Sequence, residues 1–217
     1  MRTDADPSET AALLRLWVQG WAASRGVPPP VPHSDGWRVE VGLPQQKRRH
    51  VFPRISQALQ ALGETVLEPW HYLKACATAD ELRATLPAFW HVEAQTYFMR
   101  FDGPPPLTPA LPAGYGLEVE TQGQLAVARV LAADGSLAAA GHMAVAEDAA
   151  IFDRISTDDA HRRRGLGRVV MCALDAASRT LGARRGLLAA TADGHAMYRT
   201  LGWRVQSPFT SGVIIGA

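Results

Sequence analysis

The stretch best suited to chemistry is Arg162-Arg163-Arg164-Gly165-Leu166-Gly167-Arg168. Two glycines let the backbone come close to an anion, and the arginines add positive charge. An apolar run, 149–155, leads into this stretch and an amphipathic run, 169–181, leads out. The pattern predicts a strand, a basic turn and a helix. The first N–H groups of such a helix lack intrahelical partners and face the turn, which is the geometry of a phosphate site.

The elements that must hold this turn follow from the pattern around it. Leu166, Val169, Val170, Ala173, Leu174, Ala177 and Leu181 repeat at helical spacing, and Gly182 ends the helix. The run 185–190 reads as a buried strand, parallel to the one before the helix, giving a β-α-β unit. Ahead of it, 115–120 is strand-like. The runs 125–131 and 137–145 flank Asp134-Gly135, a hairpin signal. A short helix at 195–201 stops at Gly202, and 203–205 with 212–215 form a closing pair of strands.

The first half of the chain is less patterned. Asp6-Pro7-Ser8-Glu9 starts a helix, with Leu13, Leu14, Trp17 and Trp21 on one face. Strands are expected at 37–41, 50–52, 70–76 and 89–101. Helices are expected at 55–62, ending at Gly63, and at 81–86, capped by Asp80. Trp37, Trp70 and Trp90 are expected to build the core there. The segment 102–114 is rich in proline and has no periodicity, so it is taken as a linker. The expected organisation is an α+β domain at 1–101, the linker at 102–114 and a second domain at 115–217. The fold class is α+β, a mixed and mostly antiparallel sheet with flanking helices.

Composition excludes several classes. A formal charge of +1 argues against a nucleic-acid-coating surface, so any positive site is local. No run of 18 apolar residues is present, so no membrane span is expected, and the start of the chain does not read as a signal peptide. Cys76 and Cys172 sit in apolar surroundings far apart in sequence, which fits a reducing cytoplasm without disulfides. The histidines and cysteines lack metal-ligand spacing, so no metal is expected. His161 reads as a surface residue and Cys172 as a small buried one.

Two segments carry a family resemblance. Arg162-Arg163-Arg164-Gly165-Leu166-Gly167 resembles the pyrophosphate turn of the GNAT superfamily of acetyl-CoA-dependent N-acetyltransferases. Met197-Tyr198-Arg199-Thr200-Leu201-Gly202-Trp203 is similar to the family's Leu-Tyr-x-x-x-Gly-Phe segment. They occur in the family's order, and the resemblance covers 115–217. It implies a GNAT-type sheet and acetyl-CoA as co-substrate. The pyrophosphate would lie on Arg162, Arg163, Arg164, Gly165, Leu166, Gly167 and Arg168, and the pantetheine arm on the backbone of Ile155 and Thr157. It also implies Tyr198 as the acid that protonates the departing thiolate, chemistry that suits a phenol. Family members place two helices after their first strand, where only 121–124 stand here. The N-terminal half is expected to replace them, as a degenerate GNAT-like half.

An amine nucleophile must lose a proton, and Asp153 is the candidate base. By two-residue alternation it shares a strand face with Ile151, Ile155 and Thr157 unless a bulge intervenes. Glu147 and Asp148 are alternatives, as is loss of the proton to water, and His142 is a candidate for lining the acceptor pocket. The expected function is direct acetyl transfer to a primary amine of a small molecule or peptide, with a homodimer as one oligomeric possibility. The competing readings are a non-catalytic acyl-CoA-binding module and a nucleic-acid-binding protein.

Overall fold

The structure is a computed structural model and describes residues 6–104, 106–107 and 109–216. Its helices and strands run in the order α1 (Pro7–Ser24), β1 (Val31–His33), β2 (Gly36–Leu43), β3 (Gln46–Phe52), α2 (Gln57–Thr65), β4 (His71–Ala75), α3 (Ala79–Thr85), β5 (His91–Val92) and β6 (Thr96–Phe101). After the proline-rich segment come β7 (Tyr115–Gln122), β8 (Leu125–Ala132), β9 (Leu137–Ala146), β10 (Ala149–Thr157), α4 (Leu166–Thr180), β11 (Arg185–Ala190), α5 (Ala192–Thr200) and β12 (Arg204–Val213).

The strands form one sheet in the order β1-β2-β3-β4-β12-β6-β11-β10-β9-β8-β7, with β5 beside β12. Two right-sized β-α-β units sit in it: β3-α2-β4 and β10-α4-β11 each join parallel neighbours. The strand that follows each unit crosses to the other side of the molecule. β6 pairs with β11, whereas β12 pairs with β4 and with β6. The segment 102–114 therefore connects two strands of the same sheet.

Three apolar clusters hold the layers. Leu166, Val170 and Leu174 of α4 pack with Phe152, Met143 and Trp203 on one face. On the opposite face α1 covers the middle of the sheet, where Trp17 meets Phe98 and Phe209 edge-on, with centroids 6.3 and 5.0 Å away. A Cβ on Gly20 would lie 2.5 Å from Ile151 Cδ1, so the glycine lets α1 rest directly on β10. A third cluster packs α2 and α3 against Leu73 and Ala75.

Several boundaries differ from the sequence expectation. α3 is capped by Thr78 rather than Asp80: Thr78 and Glu81 form a reciprocal capping box. α2 runs past Gly63 to Thr65, because Gly63 is a packing residue whose carbonyl accepts from Trp90 Nε1 at 2.8 Å. Trp90 is buried, whereas Trp37 and Trp70 are half-buried. The run 89–101 divides into β5 and β6. The expected closing pair is a single strand, β12, in which a register shift between Val205 and Ser207 accommodates the polar Gln206 and Pro208.

One buried cation gives a stability prediction. Lys74 Nζ donates to Thr96 Oγ1 and Ser211 Oγ, both at 3.1 Å, and lies 4.3 Å from the centre of the Phe209 ring. Burial pushes its ammonium down from 10.5 to about 7. Between these values the unfolded chain binds a proton that the folded chain does not, so this group makes stability rise with pH over that window. A Lys74→Met variant is expected to lose ~2–4 kcal/mol of the increase between pH 7 and 10. Guanidinium midpoints of both proteins at the two pH values measure it.

Candidate active site

The site begins where β10 and β11 part. Their parallel ladder runs from Ala149↔Arg185 to Phe152↔Leu188 and stops there. Past that point β11 continues against β6, while β10 stays with β9 through a bulge between Asp153 and Ser156. Arg154 at the bulge has a φ of 54°, a conformation costing a non-glycine residue about 1 kcal/mol or more. The polar groups of β10 on the β11 side are thus released from the ladder over 153–157. Ile155 and Thr157 lie in this released stretch.

The bulge also changes which residues share a face. Asp153 stays with Ile151 on the α1 side. Ile155 turns to the α4 side, where it crowds Gly141 alongside Val170 and Leu174. The simple alternation that grouped Asp153 with Ile155 is therefore corrected: one extra residue on the strand inverts the parity.

Beyond Thr157 the chain makes a 3-10 turn, Asp159–His161, and enters α4 at Leu166. Arg163 and Gly165 both have left-handed φ values, 63° and 79°. Alternation of this kind turns successive N–H groups toward one concavity. The N–H groups from Arg163 to Gly167 have no acceptor among the described residues, and no side chain caps the helix. A Cβ on Gly167 would sit 3.2 Å from Met197 Sδ and 3.5 Å from Thr157 Oγ1, so the turn packs closely on the end of β10 and on α5. Arg164 Nη1 donates to the Tyr115 hydroxyl at 2.8 Å, which also meets His161 Nδ1 at 2.9 Å. Arg162 is tied to Asp159 at 2.7 Å, and Arg168 is exposed.

Tyr198 projects from α5 into the same region, buried beside Trp203. Its hydroxyl has no protein hydrogen-bond partner among the described residues. Burial, and then the charge of Asp153, push the phenol well above its usual value, so it keeps its proton throughout the physiological range.

On the α1 side, Asp153 is held by Arg25 at the end of α1. Arg25 Nε donates to Oδ2 at 2.7 Å and Nη2 to Oδ1 at 3.0 Å. Ser24 Oγ approaches Oδ2 at 3.3 Å. Both carboxylate oxygens are thus engaged in charge-assisted hydrogen bonds to one guanidinium. His142 is the cross-strand partner of Asp153, half-buried, and burial followed by the charge of Arg154 lowers its pKa. Glu147 and Asp148 lie at the other end of β10, paired to Arg15 and Arg185. That end is roughly 15 Å from the bulge, too far for either to reach the splay.

Sequence patterns did not point to Arg25, Arg49, Tyr72, Tyr115 or Glu93. All stand in segments without a motif; in the fold Arg25 reaches Asp153, Tyr115 reaches Arg164, Arg49 lies against Trp21 and Tyr72, and Glu93 acts on Arg49 at longer range. Among the described residues no group of three His, Cys, Asp or Glu side chains is placed to hold a metal, and no helix is long and apolar enough to cross a membrane.

No family model and no curated protein sequence matches the chain. Solved structures do. A GCN5-related N-acetyltransferase from Kribbella flavida superposes with a TM-score of 0.63 over 97% of this chain and 96% of that one, at 15% identity. One from Sphaerobacter thermophilus gives 0.58 over 98% and 95%, at 11% identity. A GCN5-related N-acetyltransferase-like protein from Streptococcus suis gives 0.59 over 96% and 99%, at 10% identity. The likeness spans both halves of the sheet, the splayed strands included, and so the chain has the GNAT N-acetyltransferase fold.

Proposed function

We propose that the protein is an acetyl-CoA-dependent N-acetyltransferase that moves the acetyl group directly to a primary amine. One observation carries this reading: the β10–β11 splay opens onto a turn of unpaired N–H groups, with a protonated tyrosine beside it. A ladder opened at this cost, through a strained bulge, has little structural purpose without a ligand between the strands.

The residues fit coenzyme A. The N–H groups of the turn from Arg163 to Gly167 offer donors to a pyrophosphate, Arg163 and Arg168 add positive charge, and the α4 dipole adds to both. Arg162 and Arg164 stand at its rim. The released backbone at Ile155 and Thr157 can pair with the amides of a pantetheine arm. Bound there, the coenzyme supplies a thioester carbonyl for attack by the amine. Donors on the released stretch of β10 orient and polarise that carbonyl. Tyr198 gives its proton to the sulfur as the C–S bond breaks.

The amine's proton needs a different acceptor. Asp153 is committed to Arg25 and shapes the pocket by fixing that side chain. The neutral imidazole of His142, next to it, has a free lone pair and takes the proton directly or through water. The amine would belong to a small molecule or peptide. Cys76 and Cys172 are free thiols, in keeping with a cytoplasmic setting.

Release of free thiol from acetyl-CoA tests the proposal across a panel of amines, amino acids and basic peptides. Turnover that requires the amine supports it. Tight binding of acetyl-CoA without turnover would leave a non-catalytic acyl-CoA-binding module. No binding at millimolar ligand would remove both.

A further inference from the structure

A set of charged and aromatic side chains on the α1-side face of β3 and β4 has no part in the chemistry above. Arg49 is at its centre. Its guanidinium carbon lies 4.8 Å from the centre of the Trp21 ring and 5.2 Å from that of Tyr72. Arg25 stands over the same Trp21 ring at 4.7 Å. Two like charges thus share one indole.

Arg25 is neutralised by Asp153. Arg49 has no carboxylate within 4.0 Å among the described residues. With the Gln46 amide turned oxygen-inward, that oxygen accepts from Arg49 Nε at 3.0 Å and from Nη2 at 2.5 Å. This leaves the outer guanidinium edge without an acceptor. Glu93 and Asp153 act on Arg49 at longer range, while burial and Arg25 push its pKa down to about 10, so it remains a cation at neutral pH. A half-buried guanidinium with aromatic rings beside it and one edge open is suited to a planar anion that fills the edge with two parallel hydrogen bonds.

The position of this edge matters. Asp153, the last β10 residue before the bulge, is felt electrostatically by Arg49 and by the Tyr198 hydroxyl. Arg49 also shares the Trp21 ring with Arg25, and Arg25 holds Asp153, so the unfilled cation stands one side chain away from the mouth of the splay.

We infer that the acetyl acceptor is a primary amine that also carries a carboxylate, and that Arg49 anchors this carboxylate. The assignment rests on the acetyl-transfer proposal for its chemistry, but not for its binding. Arg49 holds the acid end against Trp21 and Tyr72, and the amine end reaches toward the thioester. The carboxylate can belong to a free amino acid or to the C-terminus of a short peptide.

The test uses the full chain saturated with coenzyme A. Calorimetric titrations compare free amino acids, and separately dipeptides, with their C-terminal amides. The acids are expected to bind at least about tenfold more tightly than the amides. Arg49→Gln should abolish this difference, and Arg49→Lys should restore part of it. The melting temperature and coenzyme A affinity of each variant report that it is folded. The two ligand series show which source of carboxylate fits.

Amides that bind as well as acids, or a preference that survives in Arg49→Gln, would overturn the inference. So would the absence of binding by any acid. Thiol release is then measured with the same compounds. Preferential binding of acids with no turnover sustains the anchor and overturns acetyl transfer. Turnover that ignores the carboxylate does the reverse.

Discussion

A Gly165→Glu variant is expected to lose about 100-fold or more in affinity for acetyl-CoA, ~2.7 kcal/mol, with only a small loss of fold stability. Gly165 sits just before the first turn of α4 at a φ of 79°, and a Cβ there would meet no atom within 4 Å. Sterically the new side chain is tolerated. Its backbone cost is about 1–2 kcal/mol, which lowers the melting point of a domain this size by roughly 2–8 °C. Its charge is not tolerated, because the carboxylate enters the concavity formed by the N–H groups from Arg163 to Gly167 and repels a pyrophosphate. Combining it with Arg162→Ala removes a rim cation and deepens the loss. Calorimetry with acetyl-CoA reads the affinity, and a melting curve separates it from unfolding. Normal binding by the double variant would mean that the phosphates lie elsewhere.

Tyr198→Phe is expected to lower kcat by about 100-fold while leaving acetyl-CoA affinity within about twofold of the parent. Phenylalanine keeps the packing with Trp203 and the buried ring, so the variant tests the proton alone. The raised pKa has a further consequence. Deprotonation of Tyr198 does not limit the parent enzyme below pH 10, so any fall in rate under mildly basic conditions comes from another group. Steady-state thiol release, with binding measured separately, gives the two quantities. A variant with full turnover would show that the thiolate departs without help from Tyr198, taking its proton from water.

The phosphate turn and the helix behind it were legible because their determinants are local. Two glycines, an arginine run and a heptad-like apolar stripe specify strand, turn and helix within thirty residues. The hairpin at Asp134-Gly135 was legible for the same reason. The acceptor side was not. Arg25, Arg49 and Tyr72 are distant in sequence: Arg49 and Tyr72 meet as register partners of the β3–β4 ladder, and Arg25 joins them over Trp21 of α1. No period or spacing encodes that meeting. The face of Asp153 was half legible: alternation put it with Ile151, but the bulge at Arg154 came from the splay and left no mark on the apolar pattern. β12 was read as two strands because Gln206, Ser207 and Pro208 look like a break, whereas the fold absorbs them in a register shift.

The exchange of β6 and β12 also bears on how the chain is made. During synthesis β1 to β4 emerge early, yet β4, already paired with β3, gains its second neighbour only when 210–213 have left the ribosome. β11 meanwhile depends on β6, made some eighty residues before it. Neither flank of the sheet can close on its own, so the first hundred residues must wait with an unpaired strand edge and an exposed Trp17 face. Closure of the sheet is therefore tied to synthesis through residue 213, and such long-range closure is slow and open to association with other chains. The architecture that joins the two flanks through β12 and β6 thus leaves nascent strand edges for chaperones to shelter until the last pairing is made.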